Sequence, residues 1–273
     1  MGRCSCIALF LCGTLFGLRM SPAVFTAQGV PIGDRIYLDV PLVLSLGEGE
    51  SPQNFAVDVL PPEMTGRRPI DGFEDIPPGA FEVDGEPILF VGIDEPAIRK
   101  LFANFPNDSA MFNRRFMVQL RIMPEGPTGN MVAAILANYL IETESNPSVR
   151  TGGWPIAVAP SVVDFDESGI AELSIFNNDT IVHDIHCAFG VPEADPRGVA
   201  IALSPGFSPA NGDIFSLDET SFTIDAGGSR NISITISQET LAEITSNVEA
   251  ILWLRIPEVE GGARFVRLRL KPY

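Results

Sequence analysis

Short runs in which apolar and polar residues alternate, separated by turns rich in proline and glycine, recur along the chain and predict β-strands. A period of two sends successive side chains to opposite faces of a pleated ribbon, so one face can be buried while the other is wet. Ile232, Ile234 and Ile236, interleaved with Ser233, Thr235 and Ser237, give the plainest example. Runs of this kind fall at 36–46, 55–60, 88–93, 112–122 and 131–141, and again at 156–158, 171–176, 180–189, 221–224, 231–237, 248–256 and 265–270. Helical spacing is confined to 96–105, where Ala97, Leu101 and Phe105 recur every four residues, and to 238–245. Both predict short crossings between strands rather than layers of a fold.

The second half of the chain repeats the first at a constant shift of 134 positions. Phe81 falls on Phe215, Asp84 on Asp218, Ile98 on Ile232, Asn113 on Asn247 and Leu120-Arg121-Ile122 on Leu254-Arg255-Ile256. Val132 falls on Val266, Leu136 on Leu270 and Tyr139 on Tyr273, and intervening columns pair apolar with apolar, as Val118 with Leu252 and Ile88 with Phe222. One domain used twice is the reading. The boundary lies at 144–153, where Ser145-Asn146-Pro147-Ser148 and Gly152-Gly153 supply turn chemistry. Seven such runs in the second unit, their order repeated by five in the first, predict an all-β protein of two tandem immunoglobulin-like antiparallel β-sandwiches, at 30–146 and 154–273, after a signal peptide at 1–27.

That leader begins with the positive Met1-Gly2-Arg3 and continues through 4–18, apolar apart from Ser5 and Thr14. The stretch is too short for a membrane anchor, and no other transmembrane candidate exists, so the expected mature protein is periplasmic or extracellular. Three of the four cysteines lie in the leader, leaving Cys187 and no internal disulfide. The formal charge of −17 becomes −19 without Arg3 and Arg19, 16 basic residues against 35 acidic ones. Such a balance speaks against nucleic acid or an anionic membrane as partner.

Candidate chemistry is sparse. Asp164, Asp166 and Ser168, followed by Gly169, open like a calcium loop, but the position for a bidentate acid is Ile175; the alternative is a polar turn between strands. His183, His186 and Cys187 cluster in sequence, yet an extended backbone puts His183 and Cys187 on one face and His186 on the other, which leaves a metal site short of ligands. There is no nucleophile elbow, phosphate loop or H-E-x-x-H motif, so neither an enzyme nor a cofactor is expected. In the last strand Val266, Leu268 and Leu270 alternate with Arg267, Arg269 and Lys271. Such a strand at a sheet edge could pair with another chain. Equally, its apolar residues could fill their own core while the arginines keep the edge soluble.

The second unit runs through Ile156-Ala157-Val158-Ala159-Pro160, Val163-Asp164-Phe165, Leu173-Ser174-Ile175-Phe176-Asn177-Asn178, Phe222-Thr223-Ile224-Asp225-Ala226-Gly227-Gly228-Ser229 and Leu252-Trp253-Leu254-Arg255-Ile256-Pro257. In this order it resembles the amino-terminal immunoglobulin-like domain of periplasmic pilus-assembly chaperones, the PapD-like group, and related immunoglobulin-like repeats share the pattern. The resemblance implies a protein subunit or envelope protein as partner, held by pairing with the last strand. Val266, Leu268, Leu270 and Lys271 would then make the contact. Lys271 lies near one basic anchor expected for the partner's terminal carboxylate, and the other position falls at about Val162. The competing expectation is a structural or adhesive envelope protein whose sandwiches serve as scaffold.

Overall fold

The computed structural model describes residues 5–9, 13–15, 17–66, 68–125, 134–150, 155–191 and 201–272, and the chain divides into two compact units. Unit 1 comprises Met1–Pro69, Glu74–Asn107 and Arg115–Glu142, and unit 2 comprises Ile70–Phe73, Asp108–Arg114 and Thr143–Tyr273. Along unit 1 run β1 (Ser5–Leu9), β2 (Gly13–Leu15), β3 (Leu18–Ser21), β4 (Val24–Val30), β5 (Arg35–Leu46), β6 (Gln53–Leu60), β7 (Glu74–Asp75), β8 (Phe81–Val83), β9 (Ile88–Val91), β10 (Ala97–Asn104), β11 (Arg115–Pro124) and β12 (Ile135–Thr143). Unit 2 contains β13 (Ile156–Ala159), β14 (Val162–Asp164), β15 (Ile170–Asn177), β16 (His183–Gly190), β17 (Ser208–Pro209), β18 (Ser216–Leu217), β19 (Ser221–Ile224), β20 (Ser229–Thr235), α1 (Gln238–Glu243), β21 (Val248–Arg255) and β22 (Ala263–Leu270).

In unit 2 one sheet has the order β13-β15-β20-β18 and the other β14-β22-β21-β16-β19. The opening segment pairs antiparallel with β15, turns at the cis Ala159–Pro160 bond, and continues as β14 in parallel with β22 of the opposite sheet. Unit 1 repeats this with β3-β5-β10-β8 and β4-β12-β11-β6-β9, and its opening segment changes sheet at the cis Ser21–Pro22 bond. Both units therefore have the strand arrangement of an immunoglobulin-like sandwich. The inward half of each alternating run fills the space between sheets: Leu173, Ile175, Ile185, Ile232, Ile234 and Leu252 are all buried in the core of unit 2. Unit 1 centres on Tyr139, whose ring lies 4.4 Å from Phe25 and 5.8 Å from Phe81 and whose hydroxyl donates to Pro22 O at 3.0 Å.

Three expectations change. Residues 97–104 form strand β10 rather than a helix. A spacing of four is a multiple of two as well as near a helical turn, and Leu101, Ala103 and Phe105 are buried at every second position. The expected crossing at 238–245 does contain a helix, α1, where Ser237 Oγ caps the first turn by accepting from Thr240 N–H at 3.1 Å. Second, the sandwich of unit 1 starts well before residue 30. Leu18, Met20, Phe25 and Ala27 are buried parts of β3 and β4, so a leader ending at residue 27 would cut through the sheet.

Third, the shift of 134 does not hold for every strand. Leu120 faces Ala137 across β11 and β12, whereas Leu254 faces Arg264 across β21 and β22. With β11 laid on β21, Ala137 thus corresponds to Arg264 and Tyr139 to Val266, seven positions short of the constant shift. The connection from β11 to β12 is longer than its counterpart, and an ungapped comparison cannot register that difference. Val132 and Tyr273, which that comparison also paired, lie outside the described residues. Likewise Ile98 is exposed on β10 while Ile232 is buried on β20, so these two do not occupy the same position.

Candidate functional site

The last strand does not lie at an open edge. β22 has β21 on one side along its whole length and β14 on the other at Arg267 to Arg269. Val266, Leu268 and Leu270 are fully buried in the core of their own sandwich. Hydrophobic side chains already consumed by a core, on a strand already flanked twice, have nothing left to offer a partner; the expectation of a free pairing edge at β22 is corrected on that ground. Lys271 is exposed, with Nζ 3.2 Å from Asp164 Oδ1.

Nor does Arg267, in the middle of β22, face water. Arg267 and Glu249 are each 0% exposed, with Arg267 Nη1 donating to Glu249 Oε1 at 2.7 Å and to Ala202 O at 2.9 Å. Arg269 Nε donates to the other Glu249 oxygen at 3.1 Å, and Ser204 adds its N–H at 3.2 Å and its hydroxyl. The segment around 202–204 lies over the outer face of the sheet and turns a charged stripe into an interior. The sequence signal, an arginine pair opposite a glutamate in the neighbouring strand, became readable only once the register was known.

The calcium-loop residues serve a turn between β14 and β15. Asp166 Oδ1 accepts from Ser168 N–H at 2.9 Å and from Ser168 Oγ at 2.5 Å, and these bonds hold its carboxyl below the usual carboxylate range. Gly169 has φ +67°, and a Cβ there would meet Ile236 O at 2.7 Å, so the glycine answers to backbone geometry. Among the described residues no three His, Cys, Asp or Glu side chains gather where they could hold a metal. On β16, His183 and Cys187 face inward and His186 outward, as alternation requires. His183 Nε2 lies 2.9 Å from Asp179 Oδ2, and burial pushes the Cys187 thiol up to about 12.

The feature of unit 1 that carries unspent binding chemistry is β9. Among the described residues it ends its sheet, pairing only with β6. Leu89 and Val91 point into the core, while Ile88 and Phe90 are 41% and 61% exposed. Val57 N–H donates to Pro87 O at 2.8 Å, which makes Phe55–Leu89 and Gln53–Val91 the hydrogen-bonded rungs of the antiparallel ladder. The backbone N–H and C=O groups of Ile88 and Phe90 consequently point away from β6, toward the open edge. The same two residues thus present apolar side chains and strand-pairing groups together. Asp84, Glu86, Asp94 and Glu95, all exposed, bracket them. The corresponding strand of unit 2, β19, turns Ser221 and Thr223 outward, and Thr223 Oγ1 donates to Asp184 at 2.6 Å. A polar outer face is therefore sufficient for the fold, and the apolar one on β9 is a departure from it. The sequence hint was Ile88-Leu89-Phe90-Val91, apolar on both faces where alternation was the rule.

A cavity of about 240 Å³ opens beside the β21–β22 hairpin, lined by Asp71, Arg255, Ile256, Pro257, Val259 and Gly262 among others. Its charged rim is self-satisfied, with Arg255 Nη1 3.1 Å from Asp71 Oδ2. Among the described residues no helix is long and apolar enough to cross a membrane.

Comparison with protein-family models gives no match, and comparison with curated proteins gives none either. Among solved structures the chain is similar to a protein of unknown function from Porphyromonas gingivalis W83, at 15% identity over 93% of this chain and 99% of that one, with a TM-score of 0.37. It is similar also to the periplasmic chaperone SfaE, 11% identical over 93% of this chain and 99% of that one, at a TM-score of 0.33. The PapD-like domain 7 of human CEP192 matches 47% of this chain and 92% of its own length at 14% identity and a TM-score of 0.32.

Proposed function

We propose that the chain is an exported, non-enzymatic protein that works in the manner of a chaperone, holding an extended segment of a secreted or pilus subunit as an added strand on the β9 edge. The observation that carries this reading is the coincidence, at Ile88 and Phe90, of outward backbone groups with outward apolar side chains. A strand laid beside β9 gains ladder hydrogen bonds from these residues and covers their side chains with its own alternate positions. The bracketing Asp84, Glu86, Asp94 and Glu95 select for a segment with Lys or Arg at its ends and apolar residues between. The chain's net charge of −17 favours approach of such a segment from a distance.

The test uses the full chain and two synthetic peptides of alternating valine and threonine, one flanked by lysines and one by glutamates. Titration is expected to show binding of the lysine-flanked peptide alone. Hydrogen exchange is expected to slow at the Ile88 and Phe90 amides when it binds, and Phe90→Asp to abolish both effects. Binding that leaves those two amides unprotected, or no binding of either peptide, refutes the reading and leaves a scaffold role for the sandwiches.

A further inference from the structure

The ladders that close the two sandwiches are chemically matched within each unit and mismatched between units. Across β11 and β12, Arg115 faces Glu142, with Nε 3.7 Å from Oε2 and both side chains buried. At the corresponding rung of unit 2 the signs are reversed: Glu249 faces Arg269 at 3.1 Å, with the buried Arg267 on its other oxygen. Further along, Gln119 faces Asn138, and Gln119 Nε2 donates to Asn138 Oδ1 at 2.5 Å. The corresponding rung pairs Trp253 with Phe265, ring centroids 5.4 Å apart. The central inward positions differ in size rather than in charge, since Tyr139 and Ile141 on β12 correspond to Val266 and Leu268 on β22, and all four are fully buried.

We infer that this reversed code guards the tandem repeat against exchange of its closing strands, within one chain or between two copies. Two sandwiches with the same strand order and largely apolar inward faces are prone to misassembly during folding. The outer rungs penalise it. With β22 on β11, Arg115 meets Arg269, with Arg267 near by and neither Glu142 nor Glu249 in place, and Gln119 meets Phe265. With β12 on β21, Glu142 meets Glu249, and Asn138 meets Trp253. Like charges buried side by side and amides buried without partners are both strongly unfavourable, so each strand accepts only its own neighbour.

The test is refolding of the full chain from urea by rapid dilution over a range of concentrations, followed by size-exclusion chromatography with light scattering. In the double variant Arg115→Glu with Glu142→Arg, opposite signs still face each other, but β11 and β12 now carry the signs of β21 and β22. A dimer fraction about tenfold or more above that of the unaltered chain is expected, with chemical cross-links joining β11 of one copy to β22 of another. If the reversed pair keeps unit 1 from folding, Arg115→Met with Glu142→Leu carries the test, because it removes the signs without burying a lone charge. It relieves the like-charge contacts but leaves Glu249 facing the new leucine and Arg269 facing the new methionine on exchange, so a rise in exchanged dimer smaller than that of the reversed pair is expected. An unchanged dimer fraction in the variant that folds, or dimers without those cross-links, overturns the inference.

Discussion

Replacing Glu249 by leucine removes the buried carboxylate that Arg267 and Arg269 share beneath the 202–204 segment. The guanidinium of Arg267 is 0% exposed and gives up its 2.7 Å contact, and Ser204 loses the acceptor of its N–H and hydroxyl. Removing one partner of a buried ion pair costs about 3–5 kcal/mol. Against a typical domain stability of about 5–15 kcal/mol that is a large share. With a urea m-value of about 2 kcal/mol/M, the midpoint should fall by roughly 2 M. Arg269, 20% exposed along its side chain, reaches solvent and suffers less. The double variant Glu249→Leu with Arg267→Met leaves no fully buried lone charge, only the part-exposed Arg269, and buried pairs replaced by apolar residues of like volume are often neutral. It should therefore recover most of the loss, giving a coupling of about 3 kcal/mol or more. Urea titrations followed by tryptophan fluorescence report on unit 2 through Trp253 on β21. Single losses under about 1 kcal/mol, or a double loss equal to their sum, would show that this network does not hold the sheet to its covering segment.

A chain begun at Gln28 lacks Leu18, Met20, Phe25 and Ala27, whose burial is worth roughly 5–8 kcal/mol in all; unit 1 should fail to show protected amides by hydrogen exchange. Amino-terminal sequencing of the protein recovered from its native cells should correspondingly place its start at or before Leu18, and a stable product starting in the later twenties contradicts the assignment of β3 and β4. Backbone bonding from Thr180, with His183 as a further donor, holds the Asp179 carboxyl below its usual range. Its folded value is depressed, so its contribution is present above the unfolded value and lost as pH falls through the folded one. The melting-temperature gap between the unaltered chain and Asp179→Asn should accordingly close between about pH 5 and pH 2, and a gap indifferent to pH rejects this. Burial, with a smaller effect from Asp218, raises the Cys187 thiol to about 12, so it should resist a disulfide reagent at neutral pH until the chain unfolds; prompt reaction of the native protein would place it at the surface.

Where strands begin and end was readable because alternation is local. Ile232, Ile234 and Ile236 needed no knowledge of their neighbours to be assigned an inward face, and the opposite facing of His183 and His186 followed from the same period. The segment at 97–104 was misread because Ala97, Leu101 and Phe105 satisfy both helical and extended periods; pairing with β5 and β8 decided between them. The start of unit 1 was misplaced for a related reason: an apolar run after a positive start has the composition of a leader whether or not its last residues join a sheet. Ile88 and Phe90 were legible as strand residues but not as an exposed pair, since exposure depends on which strand ends the sheet.

The sequence by itself determined the all-β class, the use of one domain twice and the face to which most side chains turn, because periodicity and turn chemistry are properties of neighbours along the chain. Tertiary structure alone decided which strands are edges and which rungs meet. Those depend on loop lengths and on contacts between residues far apart in sequence, and they turned the basic stripe of β22 from a proposed surface into an interior and left the open edge to β9.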